Sequence, residues 1–147
     1  MIEIERKFLV SSKDFKTEAV KQYRIKQGYI SRDSERTVRI RISNTKAFIT
    51  VKGKTSEDGT SRFEWEKEID LPDAQNLIKL CEGNLIEKIR YHINIENHEF
   101  VVDEFLGSQE GLILAEIELS HPNEKFQKPK WLADEVTGQP KYYNASM

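Results

Sequence analysis

Along this chain, segments that alternate with the two-residue period of a β-strand carry a charged face, and the signs of those faces are largely segregated by segment. Arg36 to Ser43 sets Val38, Ile40 and Ile42 against Thr37, Arg39, Arg41 and Ser43. Ala47 to Gly53 sets Ile49 and Val51 against Phe48, Thr50 and Lys52, and Leu85 to Ile95 sets Ile89, Tyr91, Ile93 and Ile95 against Lys88, Arg90 and His92. The acidic counterparts are Glu64, Glu66 and Glu68 in Arg62 to Asp70, Asp103 in Glu99 to Phe105, and Glu116 and Glu118 in Leu112 to Leu119. In Ile2 to Val10, Glu3, Glu5 and Lys7 face away from Ile2, Ile4, Arg6 and Phe8. On one strand, an ionic face is the ordinary wet side of a half-buried sheet. Segregation by strand is different, because a solvated sheet mixes its signs and like charges on neighbouring strands repel. The sheet is therefore expected to curl with its charges inward, leaving the apolar faces to build the core outside.

About eight such strands suit a closed antiparallel barrel, whose interior holds only its own side chains or one small ligand. Unpaired ions there would cost several kcal/mol each, so the lumen must contain water, ions and a charged ligand. Guanidinium and ammonium groups suit phosphate oxygens, arginine as a bidentate fork and lysine as a point charge. Clustered carboxylates suit hard divalent cations such as Mg2+ or Mn2+. A ligand that satisfies both sets is a metal-chelated polyphosphate.

Between the strands, Ser11 or Ser12 is placed to cap a helix running to about Val20. Pro72 and Gly83 bracket a second helix, with Ala74, Leu77, Ile78 and Cys81 in one stripe. Tyr23 to Ile30 reads as a strand whose facing is ambiguous, and the tail from Pro122 reads as short helical turns. The fold class is thus α+β, mainly antiparallel β: an eight-stranded closed tunnel barrel with a few helices packed on its outside.

At 147 residues the chain has the length of one domain, taken as 1–147 without a linker. The 33% charged fraction is high, yet formal net charge is only -2, so no overall basic field draws the chain to nucleic acid or an anionic membrane. Cys81 stands alone, which excludes an internal disulfide or a multi-cysteine zinc site and suits a reducing cytosol. No basic leader or long apolar run is present, so a cytoplasmic protein is expected.

Glu3-Ile4-Glu5-Arg6-Lys7 matches the ExExK signature of the CYTH superfamily, the triphosphate tunnel metalloenzymes, and the chain resembles its small stand-alone bacterial members. Further ordered matches include Val38-Arg39-Ile40-Arg41, Thr50-Val51-Lys52-Gly53, Phe63-Glu64-Trp65-Glu66, Glu87-Lys88-Ile89-Arg90-Tyr91, Ala115-Glu116-Ile117-Glu118 and Lys141-Tyr142-Tyr143-Asn144. The resemblance implies an eight-stranded tunnel that hydrolyses or cyclises triphosphate compounds with a divalent metal. By position, Lys7, Arg39, Arg41, Lys52, Lys88 and Arg90 resemble the triphosphate-gripping residues, and Glu3, Glu5, Asp103, Glu116 and Glu118 the metal shell. Glu64 and Glu66 are left open between a second metal, a basic neighbour and a structural pairing; Lys141 is left open between a solvated charge and a lid.

The expected chemistry is metal-assisted transfer of a phosphoryl group to water, with Glu5 or Glu118 accepting the proton. Inorganic triphosphate is the favoured substrate, since no insertion or aromatic cluster marks a pocket for a base or thiazole. The alternatives are a class IV-type adenylate cyclase, a thiamine triphosphatase and a non-catalytic binder of polyphosphate or nucleotide. The resemblance leaves homodimer formation open, with no residue in the sequence marking an interface.

Overall fold

The computed structural model describes residues 1–147 and contains a nine-stranded sheet in the order β5-β4-β3-β2-β6-β7-β8-β1-β9, closed into a barrel by pairing of β5 with β1. The strands are β1 (Ile2–Val10), β2 (Lys21–Ser31), β3 (Arg36–Ser43), β4 (Lys46–Gly53), β5 (Ser61–Ile69), β6 (Glu82–Ile95), β7 (His98–Phe105), β8 (Ile113–Glu118) and β9 (Leu132–Glu135). Every pairing is antiparallel. No helix is long and apolar enough to cross a membrane.

Two expectations change. The helix expected from Ser11 or Ser12 to Val20 shrinks to α1 (Phe15–Glu18), because Ala19 turns extended and the Val20 amide already bonds to the His92 carbonyl, starting β2 at Lys21. The tail is not only helical turns. β5 contacts β1 over Ile2 to Ile4 alone, which leaves the rest of that edge of β1 without partners. β9 fills it, opposite Phe8 and Val10, and the Val136 amide bonds to the Lys7 carbonyl. A ninth strand is thus required by an edge that would otherwise be unpaired.

The main core lies outside the barrel, as the charge pattern demands. Phe8, Tyr91, Ile93, Phe100, Val102, Ala115 and Ile117 from the outer faces of β1, β6, β7 and β8 meet Phe15 of α1 and Trp131. The second helix, α2 (Leu71–Leu77), continues as a 3-10 turn over Ile78–Leu80 and lays Ala74 and Ile78 on Ile40 and Ala47 of β3 and β4. Gly28 permits this approach, since a Cβ there would lie 2.6 Å from Leu85 Cδ2 and 2.8 Å from Cys81 Cβ. The outer face of β5 has no such cover, and Phe63 and Trp65 remain 48% and 45% exposed.

β2, ambiguous in sequence, turns Gln27 and Tyr29 inward: Gln27 accepts a hydrogen bond from Arg41, and Tyr29 lines the cavity. One end of the interior is apolar. On the adjoining strands β2, β6, β7, β8 and β1, the inward position next to the charged ones is Tyr29, Ile86, Phe105, Leu114 and Leu9, and these pack with Val136, Tyr142, Ala145 and Met147 of the C-terminal segment. The tunnel therefore has a floor, half protein core and half tail.

Candidate active site

Inside the barrel is a cavity of about 780 Å3. Glu3, Glu5, Lys7, Arg39, Arg41, Lys52, Lys88, Arg90, Glu116 and Glu118 all line it, so every candidate but one converges as the alternation of the strands requires. The exception is Asp103. It was expected among the metal ligands, but it does not line the cavity and its oxygens are already taken. Arg90 donates to both of them at 2.8 Å, and the Lys88 ammonium approaches Oδ2 at 2.7 Å.

The cations are packed more closely than their counter-ions can compensate. Burial pulls the Arg41 guanidinium down to about 9, helped by Arg39 and Arg90. Burial likewise pulls Lys88 down to about 7, even though Asp103 favours its charged form, because Arg90 and Arg41 oppose it. Asp103 remains a carboxylate, far below its ordinary range against the cost of burial, and Arg90 takes the larger share of its charge. Arg39 donates to Thr50 Oγ1 at 3.1 Å and to Glu66 at 3.4 Å, while its Nε is buried with no partner at all. A buried donor left unbonded is a place built for an acceptor that arrives with the ligand.

The carboxylates are crowded in the opposite sense. Burial, followed by the charges of Glu116 and Glu3, raises Glu5 well above the usual carboxylate range. Glu116 is held down at about 2 despite burial, by Lys7 and by the hydrogen bond from Glu5. The proton affinities of the two acids are thus pushed apart, as those of like charges in contact are. Glu118 is raised by burial and by Glu3. Burial opposes ionisation of Glu3, but Lys52 at 2.9 Å and a hydrogen bond with Glu64 keep it low.

Oxygen donors with surplus negative charge fit a hard divalent cation, which would sit between Glu5 and Glu116. With Glu3 turned to Lys52, no three acids converge on one point, so Glu3 must release that lysine to join them. Glu64 and Glu66, left open by the sequence, serve basic neighbours: Glu64 lies 3.2 Å from Lys52, and Glu66 accepts from Thr50 at 2.7 Å and from Arg39. Lys141 is exposed, its ammonium 4.9 Å from the Tyr142 ring, and does not line the cavity.

Arg62, Asn144 and Tyr143 are among the lining groups that sequence reasoning did not place in the site. Arg62 also faces the cavity, donating to the Gly53 carbonyl at 3.1 Å and Thr37 Oγ1 at 3.3 Å, with no acidic partner. Asn144 and Tyr143 come from the tail, where no periodicity points. A polar Gln27 in the middle of an otherwise apolar strand face was the available signal for the network described below. Toward the other end, the Tyr23 hydroxyl meets His92 Nε2 at 2.7 Å and Glu99 meets Nδ1 at 3.1 Å, a pairing of β2 and β6 with neither ring lining the cavity.

The whole chain is similar to known proteins. The chain is 46% identical over 146 residues to the inorganic triphosphatase of Acetivibrio thermocellus, an overlap covering 99% of this chain and 92% of that protein. It is 34% identical over 151 positions to the inorganic triphosphatase of Nitrosomonas europaea, covering 100% and 97%. The crystal structure of an inorganic triphosphatase superposes with a TM-score of 0.69 at 31% identity, over 98% of this chain and 92% of that one. The model of the CYTH domain matches residues 1–146. With the inward charges, the closed barrel and these matches in agreement from end to end, the chain belongs to the CYTH domain family.

Proposed function

We propose that residues 1–147 act as one catalytic unit, a divalent-metal-dependent triphosphatase that hydrolyses inorganic triphosphate to pyrophosphate and phosphate. The observation that carries this is the enclosed cluster of cations, with Arg41 and Lys88 short of negative charge and Arg39 Nε unbonded, facing a cluster of acids that hold a surplus of it. Two inorganic triphosphatases similar to this chain along more than nine-tenths of their length support the substrate.

Lys7, Arg39, Arg41, Lys52, Lys88 and Arg90 bind and align the phosphates and offset charge that builds on the leaving pyrophosphate. Glu3, Glu5, Glu116 and Glu118 would hold Mg2+ or Mn2+, which supplies neutralisation of phosphate oxygens and a lowered pKa for attacking water. The water oxygen bonds to a terminal phosphorus, the bridging P–O bond breaks, and the water proton passes to a carboxylate. Glu118 suits that last role better than Glu5: burial raises its affinity for protons, whereas Glu5 stands against Glu116, where the metal would sit. With its single unpaired Cys81, such an enzyme belongs in the cytoplasm.

The test is phosphate release from inorganic triphosphate, ATP and thiamine triphosphate, each with Mg2+, Mn2+ or a chelator. Release of phosphate from inorganic triphosphate, abolished by the chelator, is expected. Cyclic AMP formed from ATP without free phosphate would overturn it in favour of a cyclase, and binding without turnover in favour of a carrier.

A pH profile gives a separate check. Below about 7 Lys88 carries the proton needed to hold phosphate, and above it the charge is lost, so kcat/KM is expected to fall on the alkaline side of neutrality. Stability should run the other way. Between about 7 and the ordinary lysine value of 10.5, the unfolded chain binds a proton that the folded chain lacks, so Lys88 makes folding more favourable as pH rises. Opposite slopes that begin near 7 point to Lys88, since Arg41 would give the same pair only from about 9; parallel slopes would sink the assignment.

A further inference from the structure

The C-terminal segment reaches into the grip on the phosphates. Asn144 Oδ1 accepts hydrogen bonds from Lys88 Nζ at 2.8 Å and from Gln27 Nε2 at 3.1 Å. Gln27 is fully buried, and its Oε1 in turn accepts from Arg41 Nε at 2.9 Å. A chain of two neutral amides thus joins two cations carried by β6 and β3. The segment is fastened where it stands. Arg32 Nη1 donates to the carbonyls of Ala145 and Met147, each at 2.9 Å, and Lys7 Nζ donates to the Tyr142 carbonyl at 3.1 Å.

The choice of amides has a chemical reason. A carboxylate at either position would bind its cation more strongly but cancel the charge that phosphate needs. An apolar residue would leave Lys88 with Asp103 as its only acceptor, drawn toward Arg90 and away from the lumen. An amide oxygen aims the ammonium and leaves its charge intact.

We propose that Asn144 is a positioning residue for triphosphate, aiming Lys88 directly and Arg41 through Gln27, and that the C-terminal segment is therefore part of the substrate site. This rests on the triphosphatase reading, and its test uses binding as well as turnover. The variants are Asn144→Ala and the isosteric Asn144→Asp, with Lys141→Ala as a tail control outside the site. The Kd for inorganic triphosphate is measured by calorimetry with a chelator present, KM and kcat with Mg2+, and folding by thermal melting.

Asn144→Ala is expected to raise Kd and KM about tenfold, the size of losing one hydrogen bond to a charged group. Asn144→Asp is expected to raise them further while melting no lower than wild type, since the new carboxylate bonds well to Lys88 but repels phosphate. A merely structural plug gives the reverse order, because Asp keeps the shape and strengthens the bond that Ala deletes. Asp binding as well as or better than Ala overturns the proposal, as does an Ala variant indistinguishable from Lys141→Ala. If wild type binds triphosphate without cleaving it and the order Asp weaker than Ala holds, the positioning role stands and only the hydrolytic reading falls.

Discussion

Glu116→Gln is expected to lower kcat for inorganic triphosphate by about a hundredfold, near the ~3 kcal/mol lost when a charged partner is removed from a preorganised transition-state clamp. The reasons lie in what Gln preserves. It keeps the size of Glu116 and a hydrogen bond to Glu5, but removes the more acidic member of the pair, held at about 2 by Lys7. The cations that grip the phosphates are not touched, so KM for triphosphate should change little. The metal concentration needed for half-maximal rate should rise. Steady-state kinetics over a titration of Mg2+ or Mn2+ reads both. An unchanged kcat with a raised KM would place Glu116 in substrate binding instead.

Asp103→Asn should act on folding first. The carboxylate faces inward beneath Lys88 and Arg90 and neutralises both, the first fully buried and the second largely so. Removing one partner of a buried ionic group leaves charge uncompensated and costs about 3–5 kcal/mol. For a chain of this size that corresponds to a fall in Tm of about 10 °C. Inorganic triphosphate should restore part of the loss, because an anion bound to the native state supplies the missing negative charge. An unshifted Tm together with weakened metal binding would return Asp103 to the metal shell that the sequence resemblance assigned it.

How much of this was legible in the sequence follows from what a periodicity can encode. Arg39, Arg41, Lys52, Lys88, Arg90, Glu116 and Glu118 declare their common face because a strand shows alternate residues to alternate sides, and closure then brings the faces together whatever the order of strands. The facing of β2 stayed ambiguous because Tyr23, Ile25, Gln27 and Tyr29 mix polar and apolar character. Only the Arg41 to Gln27 bond decides it. The allegiance of Asp103 was hidden for another reason: a carboxylate on an inward face serves a metal or a neighbouring cation equally well, and the register that sets Asp103 opposite Arg90 is a tertiary fact. β9 was invisible because a run of four residues, Leu132 to Glu135, has no period of its own and is a strand only because β1 offers it an edge.

The pairing of β1 with both β5 and β8 has a kinetic side. β1 finds its partners at Thr60 to Phe63 and at Leu114 to Glu118, far later in the sequence, and β9 comes later still. Such high contact order makes loop closure slow, and no local helix can stand in for it. Because Glu3, Glu5 and Lys7 ride on that same strand, the charged lumen cannot assemble before those distant pairings form, and the barrel closes and gains its site together.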